Sequence, residues 1–487
     1  MQETLSVLSL LIRPEVLFPA ALGTLLGVYI GAIPGLSGTM AVSLLVSLTY
    51  AWSETPAIAL IMGVFVGVVY GGSRSAILLN IPGAPAAVAT GFDGYPLAQK
   101  GKAAEAMGLT AVQSFIGTLL GILALAFLTP QIAKISSLFR SVDYLLLGIL
   151  ALLLVGSVSR GRMVKGLLGA ALGLFLGCIG NTSQFSINRF TCGVRYLDGG
   201  IGFIVAMIGL FGAGEALYQL SIDAPRVRQD VPKRIVPSLK TVLKHLPLTV
   251  SSTLIGIFVG ALPGAGGDMA ALLSYDAAKR TVRKNEVPFG EGAVEGLIAP
   301  ETANNAAIGG ALIPMLTLGV PGDAITAVLL GALSMRGVNH LSLMTARPDL
   351  FHLILAALIL AAAFLLLFGL TGIRLFVKML HIPKGILMPI ILVLCMVGAY
   401  AINANVFDVL LMIGFGFLGF VLKRFDYPVA PIVLGLILRS LIETNSVRVA
   451  LMASSGGVFG ALTPSLLILT VAMPVVGRLR IGRKEHP

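Results

Sequence analysis

The sequence predicts an all-α polytopic membrane protein of about 10–14 membrane helices, some of them broken or re-entrant hairpins, arranged as two inverted repeats. Three observations predict it: long uncharged apolar runs, a duplicated motif, and paired Pro-Gly breaks within the runs. Of 487 residues, 56% are hydrophobic and 11% charged, and the mean hydropathy is +0.96. Globular domains carry about a quarter charged residues, so a soluble fold could not bury this much apolar surface. No residue is charged over 351–369, 385–402 or 455–477. At ~1.5 Å rise per residue such runs cross most of a ~30 Å hydrocarbon core. They do not alternate in polarity, which argues against a β-barrel.

The first repeat is read as 1–225. Between Glu15 and Glu54 nothing is charged, but Pro34-Gly35 and Gly38 break that stretch near its middle. Residues 55–73 and 75–92 are two uncharged runs separated by Arg74, the second interrupted at Pro82-Gly83. Further spans are expected near 104–128, 142–159, 163–181 and 201–222. The segment 226–247 is rich in Lys and Arg, interrupted by Pro232 and Pro237, and reads as a basic cytoplasmic linker. The second repeat, 248–487, has apolar runs near 248–263, 302–333, 351–378, 385–402, 405–422, 429–441 and 455–477.

The net charge of +12 sits in short loops between apolar runs. That is the positive-inside pattern of a membrane protein rather than a nucleic-acid patch. Cys178, Cys192 and Cys395 have no metal-ligand spacing and read as small apolar side chains. The N-terminus lacks a basic n-region and cleavage site, so its first apolar run is expected to be retained. No HExxH, Walker A or GxSxG motif occurs, and the reading is not an enzyme.

The duplication is direct. GVYIGAIPGLSGTMA at 27–41 and GIFVGALPGAGGDMA at 256–270 align without a gap at an offset of 229, with eight identities in fifteen positions. In the same order, GGSRSAILLNIPG at 71–83 matches GGALIPMLTLGVPG at 309–322 with one inserted residue. Placing the basic linker and the tail (Arg478, Arg480, Arg483, Lys484) in the cytoplasm starts the helix near 104 inside and its counterpart near 351 outside. The halves are then inverted.

Four Pro-Gly breaks paired between repeats mark the expected site. Broken helices expose N–H groups with partial positive charge, and such backbone persists at membrane depth only when buried in protein or lining a cavity. Inverted-repeat transporters use these half-helix ends for anionic substrates and coupling cations. The candidate substrate residues are Gly35, Ser37, Gly38, Thr39, Arg74, Asn80, Pro82, Gly83, Gly264, Gly266, Gly267, Pro321 and Gly322. Hydroxyls and bare amides of this kind suit a carboxylate. Arg74 could pair with a substrate carboxylate, bond to a structural acid or snorkel to headgroups. Asp268 and Asp323 suit a sodium ion or proton if buried, or else helix N-caps. Asn304 and Asn305, in the cluster Glu301-Thr302-Ala303-Asn304-Asn305, suit a cation, a carboxylate or the broken backbone itself.

At these motifs the chain resembles the large membrane subunit of the bacterial tripartite tricarboxylate transporters. The matching stretches are GAIPGLSGTMA (31–41), YGGSRSAILLNIPGAP (70–85), DGYPLAQKGKAAEA (93–106), ALPGAGGDMAA (261–271) and APETANNAAIGGALIPMLTLGVPGDAITAVLLGAL (299–333). The resemblance spans nearly the whole chain. It implies a multi-pass protein of the bacterial inner membrane working in secondary transport. Its partners would be a small membrane subunit of about four helices, a periplasmic solute-binding protein and the lipid bilayer, with no nucleic acid. Its cargo would be a carboxylate, taken up with Na+ as the coupling ion and no other cofactor. Arg74 departs from the family pattern, where a neutral residue is usual, so citrate does not carry over as the acid.

Overall fold

The computed structural model describes residues 2–33, 36–80, 82–136, 138–158, 163–182, 187–221, 239–282, 287–338, 343–372, 384–452, 463–468 and 470. Among the described residues, eight helices are long and apolar enough to cross a membrane, and five shorter apolar helices join them. Helices satisfy their own backbone polar groups, which hydrocarbon cannot do. The chain is an all-α polytopic membrane protein. The two strands described, Gly180–Asn181 and Asn188–Arg189, form one small antiparallel pair.

After α1 (Gln2–Leu11), the first half runs through α2 (Pro14–Ala32), α3 (Gly38–Leu48), α4 (Glu54–Leu79), α5 (Ala87–Leu97) and α6 (Ala103–Ser136). It continues with α7 (Ser141–Val158), α8 (Met163–Gly177) and α9 (Phe203–Leu220). The second half repeats the order: α10 (Leu246–Gly260), α11 (Gly266–Thr281), α12 (Glu295–Leu318), α13 (Ala324–Met335) and α14 (Pro348–Thr371). It ends with α15 (Lys384–Asn403), α16 (Val406–Arg424) and α17 (Ala430–Met452). Short helical turns at 239–244 and 343–346 are left unnumbered.

Close glycine contacts repeat between the halves. A Cβ on Gly27 would strike the Val64 carbonyl, and one on Gly256 the Ala303 carbonyl. Gly31 likewise faces Val68, and Gly260 faces Ala307. Gly71 lies against Val28, and Gly310 lies against Ile257. Each pair is offset by 229 on one helix and 239 on the other. This corrects the alignment of Gly71 with Gly309: its counterpart is Gly310, while Gly309 packs on Gly121 of α6. The extra residue falls before the α4 and α12 contacts, because one residue inserted within a helix would turn its packing face by ~100°.

The halves exchange helices. Helix α6 packs chiefly on α12 of the other half, through Gly117 on Thr302 and Gly121 on Ala306. In return α14 packs on α4, α2 and α6. At the far end α9 lies on α15 and α16, and α17 lies on α7 and α8. Gly173 abuts Ile432, and Gly435 abuts Ala170. Without water to drive helices together, small residues permit the close approach on which membrane packing depends. Helix α12 is the most enclosed, with every residue from Glu295 to Thr317 buried.

Other expectations need adjustment. Arg74 does not separate two runs, since α4 continues through it to Leu79. The span expected at 201–222 contains a wide π turn over Ile208–Ala213, where Gly209 meets Phe415 and Met412 of α16. The run expected to end at 441 extends to Met452, because Glu443 is held by Arg189 at 2.6 Å and by Arg439 at 2.5 Å. Most of the basic linker, and the tail from 471, lie outside the described residues.

Candidate functional site

Four hairpin tips form the candidate site. The first lies between α2 and α3. Helix α2 ends at Ala32, and the Ser37 side chain caps α3 by accepting the Met40 N–H at 3.2 Å. Pro34 and Gly35 lie outside the described residues. The second tip follows α4, whose C-cap Asn80 is left-handed (φ 53°) and exposed, before Pro82-Gly83. The third lies between α10 and α11, where Gly264 (φ 76°) and Gly266 (φ 54°) take conformations that favour glycine.

The fourth tip follows α12, where Gly319 (φ 69°) stands 239 positions from Asn80 and is left-handed like it. Pro321-Gly322 follow, and then Asp323 caps α13. Its carboxylate accepts the Thr326 N–H at 2.7 Å, while the Thr326 hydroxyl accepts the Asp323 N–H at 2.9 Å. Such a capping box satisfies two of the free donors of a helix start. Asp323 therefore takes the N-cap role offered as one of its two readings.

The tips cross between halves. A Cβ on Gly38, at the start of α3, would lie 3.0 Å from Ile325 in the first turn of α13. Asp268, in the first turn of α11, accepts the Ala86 N–H just before α5 at 3.0 Å. A Cβ on Gly266 would lie 2.7 Å from the Cβ of Asp323. Asn304 of α12 fills the space beside Gly267, so that any Cβ there would overlap its Oδ1, and it donates to the Val69 carbonyl at 3.2 Å. Helix starts from α3, α5, α11 and α13 thus gather in one region, and each contributes partial positive charge.

The structure brings together Ser37, Gly38, Thr39, Gly264, Gly266, Gly267, Asp268, Asn304 and Asp323, with Pro82-Gly83 and Pro321-Gly322 behind them. Gly83 packs on Gly31 and Gly72, and Gly322 packs on Gly260 and Ala311 at the equivalent places. Arg74 lies elsewhere. It is fully buried, and its Nη2 donates to the carbonyls of Gly369 at 2.5 Å and Phe368 at 3.1 Å, in the last turn of α14. Its Nε and Nη2 also reach the Tyr70 hydroxyl at 3.3 and 3.4 Å. The partners described for it are carbonyls at a helix C-terminus, where a cation suits the dipole. Asn305 turns away from the tips toward α6, donating to Ser114 Oγ at 2.9 Å.

Among the buried acids not assigned from sequence, Asp93 and Glu301 join the two halves. Asp93 of α5 accepts backbone N–H groups from Gly290, Gly292 and Ala293 at 2.7–2.9 Å and the Tyr275 hydroxyl at 2.8 Å. Glu301 accepts the hydroxyls of Thr90 at 2.6 Å and Ser114 at 2.9 Å. Both stand in polar patches of otherwise apolar sequence, which was the available signal.

Crossed broken helices inside a multi-pass bundle define a membrane protein of the solute-transporter class. The chain matches the Tripartite tricarboxylate transporter TctA family over residues 17–434, and it belongs to that family. It is 34% identical over 472 residues to an uncharacterized 52.8 kDa protein in the TAR-I ttuC' 3'region of Agrobacterium vitis, covering 95% of this chain and 93% of the relative. An uncharacterized protein in the TAR-II ttuC' 3'region of the same organism is 40% identical over 202 residues, 41% of this chain and 83% of the relative. This chain is accordingly a membrane subunit of the tricarboxylate-transporter type.

Proposed function

We propose that this chain is the permease subunit of a binding-protein-dependent secondary transporter that imports an organic di- or tricarboxylate across a bacterial inner membrane, coupled to sodium. The observation that carries the reading is the convergence of four helix starts at the crossed tips. Amide N–H groups and hydroxyls there can hold a carboxylate without a fixed cation. The repeated glycine contacts support two duplicated halves. The charge bias of the loops supports their inversion, the arrangement from which alternating access follows. A periplasmic solute-binding protein would deliver the acid, and a small membrane subunit would complete the assembly.

The test is uptake of labelled organic acids into proteoliposomes, with and without the binding protein and with and without a sodium gradient. Uptake that requires both bears out the proposal. Equal saturable uptake without the binding protein would establish a stand-alone carrier instead.

A further inference from the structure

Glu301 lies within α12 of the second half, 2% exposed. Polar groups from three helices of the first half lie beside it. Thr90 on α5 donates to Oε1 and Ser114 on α6 donates to Oε2, while Ser73 on α4, beside the carboxylate, gives its proton to the Tyr70 carbonyl at 2.8 Å. One turn along α12, Asn305 donates to Ser114 Oγ at 2.9 Å and to the Glu301 carbonyl at 3.0 Å. The Thr118 hydroxyl reaches Asn305 Oδ1 at 3.5 Å. All of these partners are neutral.

Among the described residues no Lys, Arg or His pairs with Glu301. Arg74, the residue after Ser73, directs Nη2 to the end of α14. A buried carboxylate without a counter-charge is strongly unfavourable. Hydroxyl donors favour its ionised form, so the network calls for a positive charge rather than removing the need for one.

We propose that Glu301, with the hydroxyl oxygens of Thr90, Ser114 and Ser73, binds a desolvated monovalent metal cation of sodium's size. Each hydroxyl carries one proton and two lone pairs, and rotation presents the oxygen to a cation. An all-oxygen set suits a hard ion, and a single carboxylate balances one positive charge. The ligands span both halves. Asn304, next to Asn305, abuts Gly267 at the crossed tips, so occupancy of the site reaches the region assigned to the carboxylate. A coupling role for this ion rests on the carrier reading above; its binding does not.

The experiment is thermal unfolding of the purified full chain against sodium chloride, with choline chloride holding ionic strength constant. Wild type should show a saturable sodium-dependent rise in Tm. Glu301→Gln, which keeps the shape and still accepts hydrogen bonds, should fold in choline and lose the response. Ser114→Ala, which leaves the carboxylate intact, should raise the half-saturating sodium concentration roughly 10–100-fold. Absence of the effect in wild type, or its persistence in Glu301→Gln, overturns the site. A response that tracks pH, ignores sodium and disappears in Glu301→Gln assigns a proton there and also overturns it. Failure of carboxylate uptake with the sodium response intact counts against the carrier reading alone.

Discussion

Replacing Arg74 by methionine separates a substrate ligand from a structural clasp. The side chain is fully buried, and its hydrogen bonds join α4 of one half to the end of α14 of the other. The contacts to Tyr70 are long, at 3.3 and 3.4 Å, and contribute little. The Phe368 carbonyl also accepts the Gly372 N–H at 2.9 Å, so it keeps a partner in the variant. Among its described hydrogen bonds, the one to the Gly369 carbonyl remains. A charge-assisted hydrogen bond contributes about 1.5–3 kcal/mol. Methionine fills much of the same volume with an adaptable chain, which keeps the cavity cost small. The expected loss is therefore about 2 kcal/mol. It should be read as a lower unfolding midpoint of the purified protein, with the preference among organic acids unchanged. Unchanged stability together with an altered acid preference in uptake would refute this reasoning and make Arg74 a substrate ligand.

The tip glycines make the opposite prediction. Gly38→Leu and Gly267→Leu should each abolish uptake while leaving membrane insertion intact, because their side chains would occupy the space held by Ile325 and by Asn304; uptake and membrane fractionation check it, and wild-type transport would make the breaks purely structural. Asp93→Ala removes the acceptor shared by Gly290, Gly292 and Ala293 and should free the segment 287–293. Limited proteolysis should then cut there faster than in wild type, and an unchanged digestion pattern would show that the segment is held by other contacts.

The positions of the breaks were legible in sequence because their chemistry is local. Ser37 and Asp323 precede helix starts that they cap, and Asn80 and Gly319 take up the left-handed turn after a helix. The repeat was legible as a fixed offset, although its register in α4 and α12 needed the glycine contacts. The exchange of α6 and α14 was not legible. Their apolar faces could suit α4 or α12 equally well, and only three-dimensional packing distinguishes them. Glu301 and Arg74 were visible as charges in apolar surroundings, but their roles depend on partners far along the chain. Ser114 is 187 residues from Glu301, and Phe368 is 294 residues from Arg74.

That last separation bears on how the protein is made. A ribosome adding about 5–20 residues per second needs roughly 15–60 s to go from Arg74 to Phe368. Throughout that interval the nascent first half holds a guanidinium whose carbonyl acceptors in α14 have not yet been synthesised. Its fourth helix must wait, hydrated or sheltered by the insertion machinery, and α6 must wait likewise for α12. Biogenesis is therefore a late joining of two incomplete partners, and a chain truncated before α14 leaves the first half unfinished even though every one of its own helices is present.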